Sequence, residues 1–317
     1  VAVALVTGVA GQDGIYLARE LLARGSRVVG TVRPDSSEAT RMAAYLDDVD
    51  VRSLDVRDTA TFATLVEDVR PDRVFNLAGL TSVGQSWREP KLTEEVNGAA
   101  VERMLDVLVG RDVRFFQASS AEELGHPAAW SPYARSKARA RAAVERARAG
   151  GSFACVATLY NHESPVRGPQ FVTRKITQAV AEIALGRRST LTLGNTAVTR
   201  DWGFAGDYAA AMADQLELDG PQDVVLATGV GRTLDELVQV AFAAAGIDDP
   251  AVHVEHDPAL MRPADVPVQV GDPSTAERLL GWRRTVSFED MVEHMVRVDV
   301  ERLRSGVDES PAYLLPA

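Results

Sequence analysis

The N-terminal stretch Val3-Ala-Leu-Val-Thr-Gly-Val-Ala-Gly-Gln-Asp-Gly14 constrains this chain more than any other segment. Apolar residues run unbroken up to Thr7, three glycines follow (Gly8, Gly11, Gly14), and a helical pattern begins at Ile15. An unbroken apolar run of this length suits a strand buried on both faces, as in a parallel sheet. Glycines at this spacing permit a tight turn, close approach of backbone to a pyrophosphate, and close packing of helix on strand. The helix start then offers N–H donors to the anion. Glycines alone are a modest signal. A strand before and a helix after make it a specific one.

The same alternation continues downstream. Strand patterns fall at 2–6, 27–30, 51–54, 73–76, 113–117 and 153–159, with helical patterns clearest at 59–69, 95–109 and 133–149. This predicts an α/β fold, a doubly wound parallel sheet with ligands at the carboxyl ends of its strands. After Asn161 the pattern loosens into a helix at 173–185, a strand at 224–228 and helices at 233–245, 274–280 and 288–304. Residues 1–165 are expected to form the sheet domain, with 196–230 returning to it. Residues 166–195 and 231–317 are expected to form a smaller interwoven C-terminal lobe.

Composition narrows the function classes. A net charge of −11 over 317 residues argues against a broad nucleic-acid or anionic-membrane surface. Cys155 is the sole cysteine and sits in an apolar strand pattern, so a buried structural thiol is expected. One cysteine allows no internal disulfide, which suits a reducing cytoplasm. No charged-then-apolar leader and no membrane-length apolar run are seen, and the start at Val1 points to a trimmed gene product. No metal site is expected.

The chemistry is concentrated in Val113-Arg-Phe-Phe-Gln-Ala-Ser-Ser-Ala-Glu-Glu-Leu-Gly125 and Ser131-Pro-Tyr-Ala-Arg-Ser-Lys137. A strand ends in a hydroxyl (Ser120) and a carboxylate (Glu122), and Tyr133 and Lys137 open the next helix. Spacing of four puts Tyr133 and Lys137 on one helix face. The ammonium there favours the ionised phenol and brings a group of pKa about 10 toward use as a base. Many surface helices carry such a pair. Lysine, however, occurs only at 91, 137 and 175 in an arginine-rich chain, which suggests that a point charge is needed at 137. For Glu122 the competing reading is a solvated carboxylate beside Glu123.

These residues resemble the extended short-chain dehydrogenase/reductases. Shared in outline are Thr7-Gly-Val-Ala-Gly-Gln-Asp-Gly14, Leu54-Asp-Val-Arg-Asp58, Asn76-Leu-Ala78 and Tyr133-x-x-x-Lys137. A narrower resemblance, to the GDP-mannose 4,6-dehydratase family, lies in Gly11-Gln-Asp-Gly14, Gln117-Ala-Ser-Ser, Asn161-His-Glu-Ser-Pro165, Phe171-Val-Thr-Arg-Lys175 and Arg200-Asp-Trp-Gly203. Val83-Gly-x-Ser-Trp87 and Arg262-Pro263 fit the same group.

The resemblance implies a Rossmann sheet with a nucleotide-sugar lobe, and an enzyme that oxidises C4 of the sugar, removes water across C5–C6 and returns the hydride to C6. Ser120, Glu122, Tyr133 and Lys137 would be catalytic, with Glu122 acting as base and then acid. It places the cofactor against Gly8, Gly11, Gln12, Asp13 and Gly14, with Asp55 and Val56 capping the adenine. Leu77, Ala78 and Gly79 would line its ribose and pyrophosphate, and His162 and Arg167 would approach it. Arg33 matches the 2′-phosphate position of NADP binders, whereas the neighbouring Pro34 and Asp35 keep NAD as the alternative. Asn161, Lys175, Arg200, Arg262 and Asp265 would hold a GDP-sugar. A homodimer through the helices at 95–109 and 133–149, or a homotetramer, is implied as well.

Two departures bear on substrate. The segment at 123–132 is shorter than the polar loop usual in the family, so either the pocket is altered or part of a loop is absent from the sequence. Leu80-Thr81-Ser82 replaces the usual Gln-Ser and bulky residue, which leaves a related GDP-hexose or GDP-heptose open. An epimerase or reductase with Glu122 idle, and a non-catalytic nucleotide-sugar-binding protein, are the competing functions.

Overall fold

The computed structural model describes residues 1–34, 36–125, 127, 130–260 and 266–315. Its strands, in chain order, are β1 (Val3–Thr7), β2 (Arg27–Val32), β3 (Asp50–Ser53), β4 (Arg73–Asn76), β5 (Arg114–Ser120), β6 (Ala154–Leu159), β7 (Asn161–Glu163), β8 (Leu191–Leu193), β9 (Thr199–Phe204), β10 (Val224–Leu226), β11 (Gly231–Thr233), β12 (Val254–His256) and β13 (Val268–Gln269). The described chain divides into two compact units.

The first unit comprises Val1–Leu159, Tyr208–Leu226 and Ser274–Trp282. Its seven-stranded sheet runs β10-β6-β5-β4-β1-β2-β3, with every neighbouring pair parallel. Chain order reverses between β1 and β4, and in such sheets that switch point opens a crevice at the strand carboxyl ends. The apolar runs read from the sequence are the strand interiors. Leu5, Val29, Val74, Phe115 and Val156 bury with Phe62, Val66, Met104, Leu105 and Val144 from the helices. Each such side chain contributes roughly 1.5–3 kcal/mol by leaving water.

Local signals set the helix ends. Asp58 caps the helix Thr59–Val69 by accepting from Thr61 N at 3.0 Å, and Ser131 caps Pro132–Ala149 by accepting from Ala134 N at 3.1 Å. Two elements differ from expectation. β5 runs on to Ser120, because its pairing with β6 continues through Ser120↔Leu159. The helix expected from 95 opens as a π-helical turn, Glu95–Ala99, before the α-helix Ala100–Leu108. Asn97 in that turn bonds both backbone groups of Leu80.

The second unit comprises Tyr160–Asp207, Ala227–Pro273 and Arg283–Ala317. The first unit's N-terminal segment thus ends at Leu159, since β7 pairs in parallel with β9 of the second unit. Of the stretch at 196–230, Tyr208–Leu226 lies in the first unit and the remainder in the second. β9 also pairs antiparallel with β11 and parallel with β13, while β8 and β12 form a separate pair. Asp201 ties this sheet together. Buried at 1% exposure, it accepts from Thr228 N, Thr228 Oγ1, Gly229 N and Gly271 N. The helix Phe288–Ser305 supplies a second buried carboxylate, Asp299, which holds Arg174, Arg302 and Thr177. Among the described residues no helix is long and apolar enough to cross a membrane.

Candidate active site

The turn after β1 packs so closely on its neighbours that only glycine fits at two of its positions. Gly8 has φ +72°, and a Cβ there would lie 3.0 Å from both Ala78 Cα and Ala78 N. A Cβ on Gly14 would lie 2.4 Å from Gly8 O and 2.6 Å from Val9 Cα. Gly11 is the N-cap of the helix Gln12–Ala23 and makes no side-chain capping bond. This is the backbone cradle that a dinucleotide pyrophosphate requires. Thr7 Oγ1 accepts from Leu77 N and Ala78 N, which locks the loop after β4 against the end of β1.

Ser120 ends β5, and its hydroxyl accepts from Glu122 N at 3.3 Å, opening the short turn Ala121–Leu124. Glu122 is half-buried. Tyr133 is buried in the first turn of the Ser131-capped helix, and Lys137 Nζ lies 5.7 Å from its ring centroid. Lys137 is itself 6% exposed and donates to Ala118 O at 2.9 Å. Burial pushes its ammonium down from 10.5 to about 8, against the pull of Glu123 and Asp13. A buried lysine with so low a pKa is the kind of perturbation that functional sites concentrate.

Glu122 and Glu123 have different environments. Glu123 is buried, accepts from Ser119 Oγ at 2.7 Å and is gripped by the Arg141 guanidinium (Nε–Oε1 2.7 Å). One of the paired acids is therefore structural, and the alternation of the turn separates it from Glu122. After it, Trp130 Nε1 donates to Gly125 O at 2.7 Å, and Arg135 Nη1 donates to Trp130 O at 2.8 Å.

Beneath these groups runs a polar chain that sequence reading leaves out of the site. Thr7 Oγ1 donates to Asn76 Oδ1 (2.6 Å), Asn76 Nδ2 to Gln117 Oε1 (2.8 Å), and Gln117 Nε2 to Ala118 O (2.8 Å). The available signal is a glutamine in an otherwise apolar strand, Phe115-Phe-Gln-Ala118. Asn97 is also missed. Its Oδ1 would lie 3.0 Å from a Cβ on Gly79, and Lys137 Nζ 3.9 Å from the same point.

At the ends of β2 and β3, Arg33 is exposed, and Val56 is buried. Arg57 bonds the Asp55 carboxylate through Nε and Nη2, which together with Arg33 nearby holds that carboxyl below its usual range. Asp35 lies outside the described residues. Cys155 is fully buried, and burial pushes its thiol up, which leaves it inert.

In the second unit, Asn161 and His162 lie on β7, and His162 Nδ1 is 2.7 Å from Tyr160 O. Arg167 is pinned from two sides, by Glu163 at 3.1 Å and by the Phe171 ring, whose centroid lies 3.6 Å from its Cζ. Lys175 donates to Thr192 O at 2.8 Å. Arg200 donates to Thr199 O and Val266 O, each at 2.8 Å. Backbone carbonyls thus orient both cations. Arg262 and Asp265 lie outside the described residues.

Comparison with known proteins gives the family of the chain. The family model described as GDP-mannose 4,6 dehydratase matches residues 5–295. The chain is 38% identical to GDP-mannose 4,6 dehydratase 2 of Arabidopsis thaliana, covering 94% of this chain and 87% of that protein. It is 35% identical to the GDP-mannose 4,6-dehydratase of Yersinia enterocolitica, covering 95% and 94%. Among solved structures, the dTDP-glucose 4,6-dehydratase DesIV of Streptomyces venezuelae, with NAD and TYD bound, matches at a TM-score of 0.81 and 24% identity over 96% of this chain and 98% of that one.

Proposed function

The chain belongs to the GDP-mannose 4,6-dehydratase family, and on that premise we propose that it converts GDP-mannose to the 4-keto-6-deoxy sugar nucleotide. One observation carries the reading. A buried lysine stands over the ring of a buried tyrosine on the helix Pro132–Ala149, the next helix after the strand that ends at Ser120 and the short turn that carries Glu122. The epimerase, reductase and non-catalytic readings are not favoured, since the relatives matched over nearly the whole chain carry the dehydratase name.

The glycine turn, in which a Cβ at Gly8 or Gly14 would collide with neighbouring backbone, leads into the start of the helix Gln12–Ala23 and suits a nicotinamide dinucleotide. When bound, that cofactor supplies the capacity to take a hydride from C4 and give it back at C6. Tyr133, with its phenol kept acidic by the Lys137 ammonium, accepts the 4-hydroxyl proton, and Ser120 hydrogen-bonds the same oxygen. The resulting ketone acidifies the hydrogen on C5, and Glu122 removes it as the 6-hydroxyl departs. Protons balance: two are taken, from the 4-hydroxyl and from C5; one leaves in the water and the other returns to C5 by way of Glu122. Base and acid work of this kind contributes about 10²–10⁴ in rate. Asn161, Lys175 and Arg200, with Arg262 and Asp265, would contact the GDP moiety, with arginine suited to its diphosphate.

For the cofactor, NADP is the better supported reading. Arg33 is an exposed cation at the end of β2, and Arg57 offsets the Asp55 charge that would otherwise disfavour a 2′-phosphate. His162 and Arg167 would complete the cofactor contacts. By the same likeness, the chain would work as a cytoplasmic homo-oligomer through its paired helices.

The test is to incubate the protein with GDP-mannose and catalytic NADP⁺ and to follow the product by mass spectrometry. A product lighter by one water, absent with Glu122→Gln, supports the reading. An unchanged mass with inverted sugar stereochemistry would replace it by epimerisation.

A further inference from the structure

We propose that Gln117 is a positioning residue for Lys137, acting through the carbonyl of Ala118 as the last link of the chain Thr7–Asn76–Gln117. The proposal rests on the reading of Tyr133 as base and Lys137 as its supporting cation.

The hydrogen-bond directions in this chain leave no freedom. Thr7 Oγ1 accepts from two backbone amides, Leu77 N and Ala78 N, so its own proton goes to Asn76 Oδ1. That orients Asn76 Nδ2 toward Gln117 Oε1, and hence Gln117 Nε2 toward Ala118 O. An amide has one accepting and one donating end, so each choice forces the next. The same Ala118 oxygen accepts from Lys137 Nζ. Thr7, Asn76 and Gln117 are all at most 2% exposed, so water does not compete for these bonds.

Gln117 therefore does two things at once. It satisfies Asn76 across the pairing of β4 with β5, where Asn76 faces Gln117 in register. It also holds the carbonyl that receives the ammonium. A lysine stem has many rotamers, and a fixed acceptor is what converts it into a defined charge beside a phenol. Among the described residues, Tyr133, Glu123 and Asp13 are the charged and titratable groups that act on that ammonium, with Glu123 held in turn by Ser119 and Arg141. Removing the Gln117 amide changes no charge at the site while taking from Ala118 O one of its two side-chain donors.

The experiment measures the titration of the Tyr133 phenol by near-ultraviolet difference absorbance, each protein against its own Tyr133→Phe counterpart, together with the pH profile of kcat. Gln117→Met keeps the side-chain length and removes both ends of the amide. Gln117→Asn keeps an amide but is too short to bridge, and serves if the methionine variant does not fold. The expected result is a Tyr133 midpoint higher by about one unit, with turnover about tenfold lower near neutral pH and recovering as pH rises through the shifted midpoint. A folded variant with the wild-type midpoint and profile, even if less heat-stable, would reduce Gln117 to a core-packing residue and overturn the proposal. If Lys137→Met leaves the Tyr133 midpoint unmoved, the reading of the pair is what fails, and the proposal falls with it.

Discussion

Replacing Lys137 with methionine is expected to stabilise the folded chain while removing its proposed chemistry. The ammonium is buried, and burial takes its pKa from 10.5 to about 8. At about 1.4 kcal/mol for each pH unit, holding the charge in the folded state at pH 7 costs about 3 kcal/mol. Against this, the variant loses the bond to Ala118 O, worth about 1 kcal/mol net, and a weak attraction to the Tyr133 ring of about 0.5–1 kcal/mol. Ala118 O keeps its donor from Gln117, so no buried acceptor is orphaned. The net gain is about 1–2 kcal/mol at neutral pH. Because the folded pKa lies below the unfolded one, the unfolded chain binds more protons between about pH 8 and 10.5, and wild-type stability rises through that window. The advantage of methionine should therefore be full below about pH 8 and gone above about pH 10.5. Urea unfolding of both proteins without cofactor, at several pH values and with equal slopes, reads this directly. A variant that is less stable at pH 7, or a difference that does not change with pH, would refute the reasoning.

Two further outcomes follow from other parts of the molecule. Gly14→Ala places a Cβ 2.4 Å from Gly8 O, so the turn must open; dinucleotide affinity measured by calorimetry should fall by at least tenfold, and wild-type affinity would show that the cradle is not the cofactor site. Asp299→Asn, in the second unit, leaves Arg174 and Arg302 without their shared buried carboxylate and should cost about 3–5 kcal/mol in urea unfolding; a loss under about 1 kcal/mol would mean that the cluster is satisfied by other groups.

The strands and the glycine turn were legible in the sequence because each depends on a few neighbouring residues. An apolar run such as Val3-Ala-Leu-Val and a cap such as Asp58 carry their own physics, and alternation of strand and helix leaves few topologies besides a doubly wound sheet. The family was legible for a different reason: several short motifs stand in one order along the chain, and the match over residues 5–295 bears that out. The extension of β5 to Ser120 was not legible, since it depends on how far the partner strand continues. Neither was the π-helical turn, in which Asn97 bonds Leu80.

The sequence by itself determined which segments are buried and where the glycine turn after the first strand lies. Tertiary structure alone decided which polar groups meet. Thr7, Asn76 and Gln117 stand on three strands far apart in the chain, and only the parallel register places their polar side chains end to end. The distinction between Glu122 and Glu123 likewise depended on Arg141, one helix away. Periodicity reports which side of an element faces inward. The choice of partner inside is made by long-range pairing, where a buried donor left unmatched costs about as much as a strong bond returns.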